Sequence, residues 1–296
     1  MKYAHLMDPL EFFYAMRTGE AQQTDGSPAT LRVVPLGMLE VPSGLLEASD
    51  PFVTLGEGPV LDVGPGSYEA FVTVADVSEE QDGSHEREAY LSIVLRDGVV
   101  TSLGTVSLEE DAEPDSYWGV AVDAGTVAFV DHEAVEGCMP ATEAGDTWYE
   151  DVFETGNDDS WFALMDSEKH YESGMANIVM PLATQGENVV LTHSGWGDGF
   201  YPVIVTSDSE GNILGVHIDL LVVGPVDVEE DDEEDDSLQM ASKADSDSVD
   251  DIGMAGASGT SYESRAEYAS SLSSPEVEDV RGRRTGFFKG LFGTGK

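Results

Sequence analysis

The chain is poor in positive charge and nearly devoid of cysteine and lysine. Of its 296 residues, 13 are Lys or Arg and 59 are Asp or Glu, a formal net charge of -46. Only Lys2 and Lys169 precede position 243. So negative a chain repels nucleic-acid phosphate and anionic membranes, which excludes DNA or RNA binding by its core. The single cysteine, Cys138, forms no intrachain disulfide. Nothing near it in sequence supplies the base or cation that would activate it as a nucleophile. No run approaches the roughly eighteen apolar residues of a membrane span. The N-terminal MKYAHLMDPLEFFYAMRTGE is interrupted by Asp8, Pro9 and Glu11, and no small-residue cleavage site follows, so it does not read as a secretion signal. These absences predict a soluble, cytoplasmic protein.

The charge is unevenly placed. Residues 1–225 hold 6 basic and 41 acidic side chains, a formal -35, so the acidity is not confined to a tail. Two readings follow: plain solubility, or adaptation to concentrated salt, where self-repulsion is screened. After Gly224-Pro225 the chain changes character. DVEEDDEEDD and the small, polar residues behind it cannot build a core, so 226–280 reads as a disordered acidic linker. The end, RGRRTGFFKGLFGTGK, is basic and aromatic. Residues 281–296 therefore read as a docking peptide carried by Arg283, Arg284, Phe287, Phe288 and Phe292. It would suit a protein, a membrane surface or the acidic core itself.

Residues 1–225 read as one mainly-β domain, α+β by strict count. An antiparallel β-sandwich or partly closed barrel with short peripheral helices is expected. Asp8, Pro9 and Glu11 predict a capped helix ending at Gly19, with AQQTDGSPAT as loop. Alternating, β-branched stretches predict strands in LRVVPLGMLEV, GLLEA, SYEAFVTVADV, EAYLSIVLRDGVV, YWGVAVDAGTVAFVD, WFALMD, MANIVMPL and NVVLTHS. A final hairpin turns at Ser209–Asn212. Between them, Asp131 and Asp146 are suited to cap helices in HEAVEGC and TWYEDVFE. VLDVGPGSYEAFVTVAD echoes VLTHSGWGDGFYPVIVTSD: strand, glycine turn, aromatic, and a strand ending in Asp. Either two related hairpins or a chance recurrence of a common pattern accounts for it.

The densest motif is HSGWGDGFYPV, His193 to Val203. His193 and Ser194 cannot form a dyad on a strand, since neighbouring side chains point to opposite faces. Asp198 reads as an Asx-type turn, with Gly197 and Gly199 at positive φ, or as a ligand carboxylate. Trp196, Asp198, Tyr201 and Asp123 are the candidate ligand-binding residues. The six histidines show no metal-ligand spacing, and no cofactor motif is present. No metal and no catalytic residue is assigned.

SGWGDGFYPVIVTSDSEGNILGVHIDL, with GMLEVPSGLLEASDPFV, PGSYEAFVTVADV and WGVAVDAGTVAFVD before it, resembles the bacterial family known as domain of unknown function 4241. The likeness runs from about Leu36 to Val222. Thr206-Ser207 replaces the family's usual glycine before the Asp turn, and Asp219-Leu220 its final Asp-Phe. The resemblance implies a fold and no assigned chemistry. The expected function is a non-enzymatic binding or interaction module, in one version an immunity-like protein neutralising a basic partner such as a toxin or nuclease. The alternatives are a metal-assisted hydrolase built on Asp198 with Asp123, Asp131 or Asp219, and a high-salt-adapted protein whose charge serves solubility alone.

Overall fold

A computed structural model describes residues 9–105, 118–141 and 148–226. Asp8, Asp146, the acidic linker beyond Val226 and the terminal peptide with Arg283, Arg284, Phe287, Phe288 and Phe292 lie outside the described residues. The described part is mainly β, and every strand pairing is antiparallel. The large sheet contains β1 (Gly19–Gln22), β2 (Pro28–Val41), β5 (Gly66–Asp76), β6 (Glu86–Val94), β13 (Ile213–Asp219), β12 (Gly199–Ser207) and β7 (Ser102–Thr105), in that order, with β8 (Gly119–Val122) also paired to β12. It curls into a half-barrel. The small sheet runs β10 (Met175–Val179), β11 (Asn188–His193), β9 (Thr126–Asp131), β3 (Leu45–Ser49) and β4 (Val60–Asp62).

The small sheet is buried on both faces, and the alternation of its residues shows how. Val127 and Phe129 of β9 join the core against the large sheet, while Ala128 and Val130 face a second cluster. That cluster is roofed by α1 (His132–Cys138), a single π-helical turn at Tyr149–Phe153, and α2 (Trp161–Met165). Asp131 caps α1, accepting from Ala134 N at 2.9 Å as expected. Two asparagines stitch the sheets together. The Asn177 side chain donates to Leu36 O and Met38 O, and the Asn188 side chain to Met38 O.

Several expectations fail. Residues 9–11 form one 3-10 turn and no longer helix follows. The segment instead inserts Phe13 edge-on between Tyr90 (5.7 Å) and His217 (5.1 Å), so tertiary burial overrides the capping signal. The supposed loop after Gly19 contains β1 and the start of β2. WFALMD is not a strand but helix α2, capped by the Ser160 hydroxyl, with Trp161 and Met165 one helical turn apart in the second cluster. Of TWYEDVFE, the described part is the π turn.

The internal echo is real, but its strands do not form hairpins. Each copy carries the chain from the small sheet to the large one, β4 to β5 and β11 to β12. The correspondence extends further. β2–β5 and β8–β12 pair in the large sheet, and β3–β4 and β9–β11 in the small one. β5–β6 and β12–β13 pair as hairpins. The two halves then meet through β3–β9 and β6–β13. Both crossovers read Gly-x-Gly-x-Tyr: Gly64 to Tyr68 and Gly197 to Tyr201. In each, the first glycine holds positive φ (+80° and +100°) and its carbonyl accepts the tyrosine hydroxyl at 2.8 Å. A rigid phenol ties the corner to the strand that leaves it. Asp76 ends β5 and Asp208 directly follows β12, and each accepts from the backbone N–H two residues on.

Superposing the corners places Val72 on Val205, and their partners Leu91 and Val216 on each other. Ser92 and His217 are then equivalent, and they also face each other across β6–β13. The pseudo-twofold axis passes between them.

Candidate functional site

One bulge recurs in the two halves and is used differently. Thr73 pairs with Tyr90 but Val74 with Glu88, leaving Ala89 extra; Thr206 pairs with Gly215 but Ser207 with Ile213, leaving Leu214 extra. A bulge redirects the side chain beside it. In the second half that side chain is Ile213, packed on the core. In the first it is Glu88, directed into a cleft of about 440 Å³. The cleft is walled by Arg32, Glu86 and Glu88 on the large sheet and by Glu168, Tyr171 and Glu172 on the segment between α2 and β10.

Only 13% of the Glu88 side chain is exposed. Burial pushes its carboxyl up to about 7, because the anion loses its water there. The nearest cation-forming group is His193 Nδ1 at 3.9 Å from Oε1. Burial in turn pushes that imidazole down, towards its neutral form. Arg32 is committed elsewhere. Its Nε and Nη2 grip both oxygens of Glu86 at 2.8 and 2.7 Å, and Nη2 also meets Glu172 at 2.7 Å. Arg32 holds Glu86 below the usual carboxylate range.

Gly174 makes room for the meeting of Glu88 and His193. It holds φ +94°, and a Cβ there would lie 2.7 Å from Glu88 Oε1 and 2.8 Å from His193 Nδ1. Its carbonyl accepts from His193 N (2.9 Å) and Thr192 Oγ1 (3.1 Å), which fixes the end of β11. Arg87 lies between Glu86 and Glu88 and, by strand alternation, points the other way. Its guanidinium sits 5.3 Å from the ring centroid of Trp196, whose ring also meets His85 edge-on.

The four ligand-binding candidates occupy the second corner rather than the cleft. Tyr201 is buried and locks the turn. Trp196 is half exposed, over Arg87. Asp198 and Asp123 are exposed side by side, one step beyond the Gly199–Val122 pair. Asp198 is not the Asx cap expected of it: the polar side chains that tie this turn are Ser194, through Oγ to Gly197 O, and Tyr201. Positive φ falls on Gly195 and Gly197, not Gly199. Asp198 stands where the first corner has Pro65, a position where the fold needs no carboxylate.

Of the proposed hydrolase carboxylates, Asp198 has Asp123 beside it, while Asp131 and Asp219 stand apart. Asp131 ends the six-residue β9, about 16 Å along the strand from the Asp123 turn, and accepts from Ser43 N and Ala134 N. Asp219 is buried, accepting from Leu221 N. Among the described residues no group of three or more His, Cys, Asp or Glu is placed to hold a metal ion. The Asp123 turn is fixed by a buried acid that sequence reading missed: Asp50 accepts from Asp123 N, Ala124 N and Thr126 Oγ1 at 2.7–2.9 Å.

Sequence reading also missed Glu88, Arg32 and Gly174, and weighed His193 only as a dyad partner of Ser194 and as a metal ligand. No signal in the sequence marks Glu88: the two echoing segments end at Asp76 and Asp208, and its correspondence to Ile213 comes from the strand registers. No helix among the described residues is long and apolar enough to cross a membrane. Residues 39–218 match the family model described as Protein of unknown function (DUF4241). No curated protein and no solved structure matches the chain.

Proposed function

The chain belongs to the DUF4241 family, whose description assigns no activity, and we propose that it is a binding module whose Glu88 cleft receives a cationic side chain of a basic protein partner. One observation carries this reading: Glu88 is a buried carboxyl at a cleft wall with no committed counter-ion. Arg32 is held by two other glutamates, and His193 is driven towards neutrality. An incoming guanidinium or ammonium supplies the missing charge, and the surrounding acidity draws it in at long range. Its volume lies within the range of small binding pockets. The cytoplasmic location expected from the lone thiol belongs to the same proposal.

The test is calorimetric titration of the full chain with an arginine-rich peptide near pH 8. Glu88→Gln is expected to weaken binding about tenfold, the scale of one charged hydrogen bond. Glu136→Gln, an exposed acid on α1, is the control. Equal losses in the two variants would reduce the attraction to bulk charge and remove the cleft from it.

High-salt adaptation stands beside this reading on one observation, that two lysines serve the first 225 residues. It concerns the solvent rather than the site, and both can hold.

A further inference from the structure

Resting on that reading of the cleft, we infer that cation uptake and proton release are one event at Glu88, so that the site is closed to cations in mild acid and opens near neutrality. The geometry carries this. Glu88 reaches the cleft through the Ala89 bulge and is seven-eighths buried. The charged and titratable groups around it come from every wall. Arg32 on β2 is neutralised by Glu86 and Glu172. On β6, Glu86 is an anion and Arg87 faces Trp196. The segment after α2 contributes Glu168, Tyr171 and Glu172 to the cleft, and Asp166 acts on His193. From β11 comes His193.

Burial decides the charge of Glu88. Ionising it costs more solvation than the fields of Arg87 and Arg32 return, so in the empty cleft it keeps its proton up to about pH 7. A guanidinium in the cleft reverses the balance. The Glu88 O–H bond breaks, the proton leaves to water, and the carboxylate accepts N–H bonds from the cation. The net charge entering the site is zero. His193 cannot substitute as the resident cation, because the same burial opposes its protonation.

Two measurements test this on the full chain. The first is a carboxyl NMR titration without any ligand, following the resonance lost in Glu88→Gln. A midpoint near 7 is expected, and one near the ordinary glutamate value of about 4.3 overturns the inference whether or not the peptide binds. The second repeats the arginine-peptide calorimetry between about pH 5.5 and pH 8.5 in two buffers of different ionisation enthalpy. Arginine does not titrate in this range, so the protons counted are the protein's. Affinity should rise nearly tenfold per pH unit below about 7 and then level off, with close to one proton released at the acid end. Glu88→Gln should bind weakly, with neither pH dependence nor proton release. Binding that is tight at every pH and releases no proton would sink the inference and leave the binding reading intact. No binding at any pH would sink both the binding reading and the coupling, and a midpoint near 7 would then report only the burial of Glu88.

Discussion

The two halves of this fold share their corners, their hairpins and even their bulges, yet beside the bulge one half sets a carboxyl in a cleft and the other an isoleucine on the core. Both corners put a positive-φ glycine under a tyrosine hydroxyl. Both bulges follow a threonine, Thr73 and Thr206. Beside the bulge, however, stand Glu88 in one half and Ile213 in the other. The loops differ as well. Ten residues join β3 to β4, whereas 132–187, joining β9 to β11, include α1, α2 and β10 and supply Glu168, Tyr171 and Glu172 to the cleft. What recurs holds the chain; what differs builds the cleft.

Exchanging the bulge residues should give the largest effect. Ile213→Glu places a charge against the core and should cost about 3 kcal/mol at pH 8. Glu88→Ile should do the opposite. The native Glu88 carboxyl is raised from 4.5 to about 7, so its contribution is complete below about pH 4.5 and is lost as pH rises through 7. The Ile variant should therefore gain about 1–3 kcal/mol over the parent at pH 8 and less at pH 5. Denaturant unfolding at both pH values measures this. If Glu88→Ile destabilises as much as Ile213→Glu, the carboxyl is structural and the contrast between the halves collapses.

A smaller effect tests their likeness. Tyr68→Phe removes a hydroxyl that donates to Gly64 O and Val63 O, and Tyr201→Phe one that donates to Gly197 O; each should cost about 1 kcal/mol, by similar amounts. A cost at Tyr201 several times that at Tyr68 would show that the second corner bears a load the first does not. Salt should discriminate least. Raising it from about 0.1 M to about 1 M shortens the screening length from ~10 to ~3 Å. The melting temperature should rise equally in the parent and both phenylalanine variants. A flat melting temperature would leave high-salt adaptation without support.

Much of the fold was legible because strand alternation is a local signal, and the echo could be read directly. Segments whose conformation is imposed from elsewhere could not. Residues 9–19 carry a good helix cap, but Phe13 is worth more between Tyr90 and His217. The apolar run of α2 is too short for periodicity to separate helix from strand. The site was hidden for another reason. Glu88 is one of 59 acids, and what sets it apart is a bulge, a neighbouring sheet and a glycine far along the chain. HSGWGDGFYPV drew notice for its composition, yet most of it makes a corner. Its contribution to the cleft is His193, the residue that precedes the turn.

The axis between the halves has one more implication. Two identical chains packed about a true twofold must set each axial residue against its own copy. Here His217 Nδ1 meets Ser92 Oγ at 2.9 Å, and burial pushes the imidazole down to about 3. Two histidines in that dry space would compete for room and protons, and two serines would leave a void. One chain that contains both halves escapes the rule of like against like, and its seam joins two different side chains that complete each other.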